Sequence, residues 1–182
     1  MRKAQISQVF TYLMAILVVG LIVFVGYKGV AWILNTNCEH GKAAFQKELF
    51  QLIDDYSDRG STRVEMLSAP CDVTKVCFAD LSHCENPEQN IPDFEPFIRS
   101  SLDEKYRGVV ISSVYDCDNI YANIFIVGKT TEPLGYAPKL VLKQDVGNSD
   151  YPFKCFEVRS GKIRFLFRGL GRKTQLEEAR PG

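Results

Sequence analysis

The sequence has no excess of either charge, since its 182 residues contain 22 Lys and Arg against 22 Asp and Glu. Proteins that attract nucleic acid by general electrostatics usually carry a basic excess, so this balance argues against a nucleic-acid partner. Internal repeats and low-complexity segments are also missing. Aromatic residues at 12% and charged residues at 24% exclude a disordered or collagen-like chain. We therefore expect a folded protein.

Residues that carry catalysis or bind metals are few. The two histidines, His40 and His83, lie in no recognisable nucleophile turn. The six cysteines form no Cys-x-x-Cys pair, the spacing typical of structural zinc sites and of redox dithiols. Residues 169–174 lack the GxxxxGK[ST] spacing of a phosphate-binding loop. The sequence therefore predicts no catalytic residue, no metal site, no cofactor and no small-molecule ligand.

Charge is absent from residues 4–27, and residues 9–26 are almost wholly apolar. A helix rises about 1.5 Å per residue, so about 20 residues cross a hydrocarbon core of about 30 Å. The apolar run is too long for a cleaved secretory signal and is not followed by a convincing cleavage site. We predict an uncleaved transmembrane helix within a membrane anchor of residues 1–34, with the lipid bilayer as its partner.

The charges and the cysteines are divided at this anchor. The first 34 residues carry three basic residues and no acid, and the following 148 carry 19 basic and 22 acidic residues. Basic residues flank the apolar run almost equally, so the positive-inside rule leaves the orientation open. Disulfides persist in oxidising compartments, and a one-sided cysteine set favours a cytoplasmic N-terminus and an extracellular C-terminal domain. The cysteines that follow the anchor are Cys38, Cys71, Cys77, Cys84, Cys117 and Cys155.

The sequence does not choose among the many ways in which six cysteines can pair. Cys71, Cys77 and Cys84 lie in a region with little periodic structure, where cross-links would order the chain most. Our preferred pairing joins Cys77 to Cys84 and ties Cys71 to Cys117 or Cys155. Cys38 is then expected to bond to a neighbouring chain. A zinc site that uses these cysteines with a histidine is the alternative, which their spacing disfavours.

Periodicity predicts the secondary structure of the part after the anchor. A polar break at residues 35–37 suits a helix N-cap, and the helix that follows ends by Gly60. Its apolar face consists of Phe45, Leu49, Leu52, Ile53 and Tyr56. A second helix is predicted to start at Asp93 and to end before Gly108. Strands are predicted at residues 62–67, 75–80, 109–115, 121–127 and 140–142.

The clearest hairpin signal joins residues 153–158 to 163–167 through a turn at Ser160 and Gly161. Residues 171–182 are polar and are predicted to form a tail. Because helices come first and strands cluster late, the fold class is predicted as α+β. In this prediction the exported domain, residues 35–170, packs an amphipathic helix on an antiparallel sheet.

The run RKAQIS at residues 2–7, followed directly by a long apolar helix, resembles the archaeal class III signal peptide of type IV pilin-like proteins. In that family a prepilin peptidase cuts before the Gln, so the resemblance implies cleavage between Ala4 and Gln5. The apolar helix would then stay on the mature protein. The family usually has Glu at the fifth mature position, where this chain has Val9. The resemblance covers the N-terminal segment alone and implies other membrane or filament subunits as partners.

These features predict a single-pass protein of the cell membrane that presents a disulfide-linked α+β domain outside the cell. It would act as a pilin-like protein or a component of a cell-surface complex, without catalytic activity. One alternative is a membrane-tethered envelope hydrolase, which requires a polar pocket with convergent titratable groups. The other is an unprocessed subunit of a larger membrane complex.

Overall fold

A computed structural model describes residues 3–58, 60–85, 93–117, 120–142 and 152–179. The chain divides into two compact units, Met1–His40 and Gly41–Gly182, and we call the second the two-sheet unit. The helices are α1 (Lys3–Ser57), α2 (Glu95–Ser101) and α3 (Glu104–Val114), and a 3-10 turn spans Ser82–Glu85. The strands in the described ranges are β1 (Thr62–Ser68), β2 (Lys75–Ala79), β3 (Ile124–Val127), β4 (Thr131–Gly135), β5 (Leu140–Leu142), β6 (Phe153–Glu157), β7 (Lys162–Gly169) and β8 (Thr174–Glu178). The predicted α+β class is confirmed.

Helix α1 is continuous from Lys3 to Ser57, so the predicted break at residues 35–37 is wrong. Asn and Thr each cost less than about 0.7 kcal/mol relative to Ala inside a helix. Ending one helix and starting another would forfeit backbone hydrogen bonds and repeat the unfavourable nucleation step. Continuing the helix through three weak helix formers therefore costs less free energy than breaking it.

The two-sheet unit contains two four-stranded sheets where the sequence predicted one. Sheet A has the strand order β1-β7-β8-β5, and sheet B has the order β4-β3-β2-β6. The strand pairs are antiparallel except β5 with β8, which is parallel. The predicted strands at residues 62–67, 75–80 and 140–142 correspond to β1, β2 and β5. The strand predicted at 121–127 begins three residues later, as β3.

The C-terminal part of α1 packs against both sheets through the predicted apolar face. Its side chains at Phe45, Leu49, Ile53 and Tyr56 are buried, and Leu52 is half-buried against them. These residues belong to one core cluster with the inward side chains of both sheets. Within it, Phe78, Phe156 and Phe165 meet edge to face at centroid distances of 5.3–5.5 Å. Such ring pairs add to the free energy gained by apolar burial.

A second cluster covers the other face of sheet B and overturns the strand predicted at residues 109–115. That segment belongs to α3, which buries Val110, Ser113 and Val114. Their spacing of three and four is helical, and it gives α3 an inner face that packs in a cluster with Phe125 and Phe153. The apparent alternation of β-branched residues was too short to distinguish the two periods.

The helix predicted from Asp93 to Gly108 is two helices. Helix α2 ends at Ser101, and α3 begins at Glu104 and continues through Gly108. Asp93 lies one residue before the N-cap of α2, where its Oδ1 accepts a hydrogen bond from the Glu95 N–H at 3.1 Å. The extended conformation of Leu102 separates the helices.

The predicted hairpin of residues 153–158 and 163–167 is wrong because the two strands belong to different sheets. Strand β6 pairs with β2 in sheet B, and β7 lies between β1 and β8 in sheet A. The turn itself is present: Ser160 and Gly161 have φ of 52° and 71°, and Arg159 bridges to Lys162. Positive φ at both turn positions is typical of a two-residue hairpin turn. Here the strands on the two sides of the turn, β6 and β7, diverge into different sheets.

The tail predicted at residues 171–182 is also wrong over much of its length. Residues 174–178 form β8, which pairs with β7 and β5 near the middle of sheet A. Leu176 is completely buried in the core, and Thr174 is buried and donates a hydrogen bond to the Ile53 carbonyl of α1. One apolar residue in a polar segment was too weak a signal to predict a central strand.

Polar contacts fix the C-terminal part of α1 to the loops and strands beside it. Lys42 Nζ donates to Glu132 Oε2 of β4 at 2.7 Å, and Gln46 Nε2 donates to the Leu134 carbonyl at 2.7 Å. Near the end of the helix, Lys139 Nζ donates to Asp54 Oδ1 at 2.6 Å. The hydrogen bond from Lys42 is the main reason that the pKa of Glu132 lies below its ordinary value.

We expect this ion pair to make stability depend on acid pH. A carboxyl whose pKa is lowered on folding stabilises the protein above its ordinary pKa, and the contribution is lost as the pH falls through the folded-state pKa. Because the pair is partly exposed, its contribution is about 0.5 kcal/mol. Thermal unfolding of the full chain in detergent, at pH values from neutral to below 4.5, should show a smaller acid loss for Glu132→Gln than for wild type. Lys42→Met and the double variant should match Glu132→Gln, and additive effects would contradict a direct interaction.

The burial of β8 predicts that Leu176→Ala lowers the free energy of unfolding by about 2–5 kcal/mol, because it leaves a cavity in the core. Leu170→Ala is the matched control, since Leu170 is 53% exposed in the loop before β8. Its effect should stay within about 0.5 kcal/mol. Equal and small effects in chemical denaturation would mean that residues 174–178 are not part of the folded core.

Candidate functional site

The N-terminal part of α1 has the chemistry of a membrane span. Phe10–Val30 comprises 21 residues with a mean hydropathy of 2.4, and none of it is buried. At about 1.5 Å per residue it is about 31 Å long, which matches a hydrocarbon core. Lys28 is the one charged residue in this stretch, and its Nζ lies 5.8 Å from the centroid of the Phe24 ring. By length and composition the segment is suited to cross a membrane, a property that N-terminal signal sequences share.

Two disulfides cross-link the two-sheet unit. Cys77 on β2 lies directly opposite Cys155 on β6, with the Cα atoms 3.9 Å apart and 78 residues between them in sequence. Cys84 in the 3-10 turn is bonded to Cys117, which follows α3, over a separation of 33 residues. One bridge therefore joins neighbouring strands of sheet B, and the other ties the 3-10 turn after β2 to the segment that follows α3.

The remaining two cysteines, Cys38 and Cys71, are disulfide-bonded as well, so all six cysteines are oxidised. The preferred pairing of Cys77 with Cys84 is wrong, and so is the link from Cys71 to Cys117 or Cys155. Cys38 is bonded within this chain, which contradicts its expected role in a bond to a neighbouring chain. The predicted hairpin pairs β6 with β7, whereas the pairing of β6 with β2 is what brings Cys155 opposite Cys77.

An open groove of about 400 Å³ lies where β6 and β7 diverge into separate sheets. Its lining combines three basic and two acidic side chains with apolar ones, namely Met66, Phe156, Glu157, Arg159, Lys162, Arg164, Glu178 and Ala179. Arg159 Nη2 lies 3.9 Å from Glu157 Oε2, a weak ion pair at the surface. The sequence could not predict this groove, because a true hairpin leaves no space between its strands.

The groove is suited to binding through ionic and apolar contacts. Serine, cysteine and histidine are missing from its described lining, so the usual nucleophile and base of a hydrolase do not meet there. Within the described ranges, no three His, Cys, Asp or Glu side chains are grouped to hold a metal ion. The cysteines do not bind zinc in this state, because zinc is bound by a thiolate and these sulfurs are in disulfides.

Comparisons with protein-family models, with curated proteins and with solved structures find no match to this chain. The resemblance of residues 2–7 to a class III signal peptide stays a prediction, as does cleavage between Ala4 and Gln5. Both residues lie in the first turns of α1. The apolar helix, the oxidised cysteines and the groove are the features from which a function can be inferred.

The disulfide pattern predicts specific cross-linked peptides. Proteolysis of the unreduced full chain should release one pair of peptides that joins Cys77 to Cys155 and another that joins Cys84 to Cys117. A peptide that links Cys77 to Cys84, found by mass spectrometry, would contradict the assignment.

Replacing Cys84 and Cys117 together by Ala should lower the free energy of unfolding by about 2–4 kcal/mol, because the unfolded chain gains freedom.

Proposed function

We propose that this chain is a single-pass membrane protein whose N-terminus lies in the cytoplasm and whose two-sheet unit lies outside. The observation that carries the proposal is the unburied apolar segment Phe10–Val30. A soluble protein would leave a row of large apolar side chains in water, where each unburied one forgoes about 1.5–3 kcal/mol. Insertion into a bilayer removes this cost, and the α-helix satisfies its own backbone hydrogen bonds there.

The oxidised cysteines support the proposed orientation. All six follow the apolar segment, and the pairs in the two-sheet unit span 78 and 33 residues. Glutathione and thioredoxin keep cysteines reduced in most cytosols, whereas bridges of this kind persist outside the cell. An extracellular two-sheet unit is the arrangement in which the bridges would form and last.

Within that location, we propose a non-catalytic role as a pilin-like protein or a component of a surface complex. The described groove offers contacts without a nucleophile–base pair, which favours binding over hydrolysis. The RKAQIS run and the continuation of α1 from the apolar segment into the two-sheet unit support the pilin-like version. In pilin-like proteins, too, one long helix runs from the membrane segment onto a sheet. The partners would be the bilayer and other membrane or filament subunits.

Membrane insertion predicts that the full chain stays in the membrane pellet after an alkaline wash. Arginine at the centre of a span costs about 2.5–3.5 kcal/mol, so Val19→Arg with Val23→Arg should release much of the protein into the soluble fraction. Val19→Leu with Val23→Leu is the matched apolar control and should stay in the pellet. Recovery of wild-type protein in the wash would contradict anchoring.

The orientation is read from added cysteines and an impermeant maleimide. Leu170→Cys, at an exposed position of the two-sheet unit, should be labelled on intact cells, and Ser7→Cys only after lysis. The opposite labelling pattern would reverse the topology.

The intact mass of the purified protein gives the mature N-terminus: a start at Gln5 supports pilin-type processing. Retention of residues 1–4 would favour an unprocessed anchor or a subunit of a larger membrane complex.

A further inference from the structure

The edge strands of the two sheets differ in how well they are protected from pairing with another chain. In sheet B, β4 contains Pro133, and its register with β3 shifts beside Ile124. The other edge of sheet B, β6, is regular but has only five residues. In sheet A, β5 has three residues and β1 has seven. Proline, irregular register and shortness all discourage the addition of a strand, because they remove or misplace the free backbone groups of the edge.

Strand β1 lacks these protections. It is paired with β7 in continuous register from Thr62 to Ser68 and contains no proline. In the described part of the chain β7 is its one strand partner, so its other side presents a row of backbone N–H and C=O groups. Val64 and Met66 on this strand are 44% and 52% exposed. The strand is therefore a regular and partly apolar edge that can accept one more strand.

The side chains of β1 include a self-complementary pair of charges. Arg63 and Glu65 are two residues apart and lie on the same face, where Arg63 Nε is 3.3 Å from Glu65 Oε1. Arg63 is 72% exposed and Glu65 26% exposed at the side chain. In an antiparallel pair of identical strands, each arginine can face the glutamate of the other copy. The charges on β1 are therefore complementary to those on the β1 strand of a second copy.

We propose that two copies of this chain associate through their β1 strands, antiparallel and with Val64 on the two-fold axis. Sheet A then continues across the axis as one eight-stranded sheet. Arg63 of each copy lies opposite Glu65 of the other, and the two Val64 side chains meet on the opposite face. This inference goes beyond the proposed function and does not depend on it, because it uses residues of the two-sheet unit alone.

Charge selects this register over the neighbouring one. Centring the axis on Glu65 would overlap all seven residues of β1, but the two Glu65 carboxylates would then lie directly opposite each other. Opposite charges at facing positions contribute about 0.2–1 kcal/mol per pair, whereas like charges destabilise. A shift by two residues exchanges one repulsive pair for two attractive ones. It also keeps apolar side chains on one face, since a shift by one residue would reverse the faces.

The basic side chains of β7 do not oppose this arrangement. Lys162, Arg164 and Arg168 lie on β7, one strand inside each copy. Between the two β7 strands there would be three strand spacings, about 14 Å. This exceeds the Debye length of about 8 Å at physiological ionic strength, so repulsion between the two basic strands is largely screened.

Cross-linking of the full chain in detergent and in membranes tests the arrangement. Two cysteines facing each other across a two-fold axis lie within disulfide range, since facing residues of antiparallel strands have Cα atoms about 4.5–5.5 Å apart. Val64→Cys should therefore form a covalent dimer under mild oxidation. Arg168→Cys, on β7 of the same sheet, is the control and should stay monomeric. Absence of the Val64→Cys dimer, beside intact native disulfides, would overturn the proposal.

Charge exchange tests the register and separates it from association through the apolar helix. In the Val64→Cys background, Arg63→Glu should lower the cross-linking yield about tenfold, because two attractive pairs become repulsive. Adding Glu65→Arg restores both pairs in exchanged order and should restore the dimer. Thermal unfolding of each variant controls for folding, since Glu65 Oε1 also accepts a hydrogen bond from Tyr56 Oη at 2.9 Å. A yield insensitive to both substitutions would assign the dimer to another surface and contradict the inference.

Discussion

The contact on which the two-sheet unit depends is the packing of one face of α1 against the inner faces of both sheets. Phe45, Leu49, Ile53 and Tyr56 are buried there. At about 1.5–3 kcal/mol for each buried side chain, this face contributes more than any single polar contact of the helix. The approach is so close that a Cβ on Gly169 of β7 would lie 2.2 Å from the Tyr56 carbonyl oxygen. Any larger residue at position 169 would push the sheet away from the helix.

This packing explains why some elements could be predicted and others could not. The face of α1 and the strands β1, β2 and β5 follow from local periodicity, since every signal needed lies within a few residues. Strand β8 is central because Thr174 and Leu176 meet α1 and β7, and the Thr174–Ile53 hydrogen bond joins residues 121 positions apart. The local composition of residues 171–182 does not indicate that this segment packs against α1 and β7.

The error at β6 originates in tertiary structure, whereas the error at α3 lies in the local period. A turn with Ser160 and Gly161 at positive φ is compatible with a hairpin, but the next residues are buried in different sheets. The pairing of β6 with β2 places Cys77 opposite Cys155, so the wrong strand partner led directly to the wrong disulfide. The groove was missed for the same reason. For β6 the missing information was the strand partner, since its position along the chain was predicted.

The size of the core bears on what the disulfides mean. Small secreted domains often need disulfides because their cores are too small to fold alone. The two-sheet unit has two apolar clusters, one on each face of sheet B, and buries eight phenylalanine side chains almost completely. A core of this size does not require cross-links to exist. The oxidised cysteines are therefore better explained by an oxidising compartment than by a need for stability, which supports the proposal of an extracellular two-sheet unit.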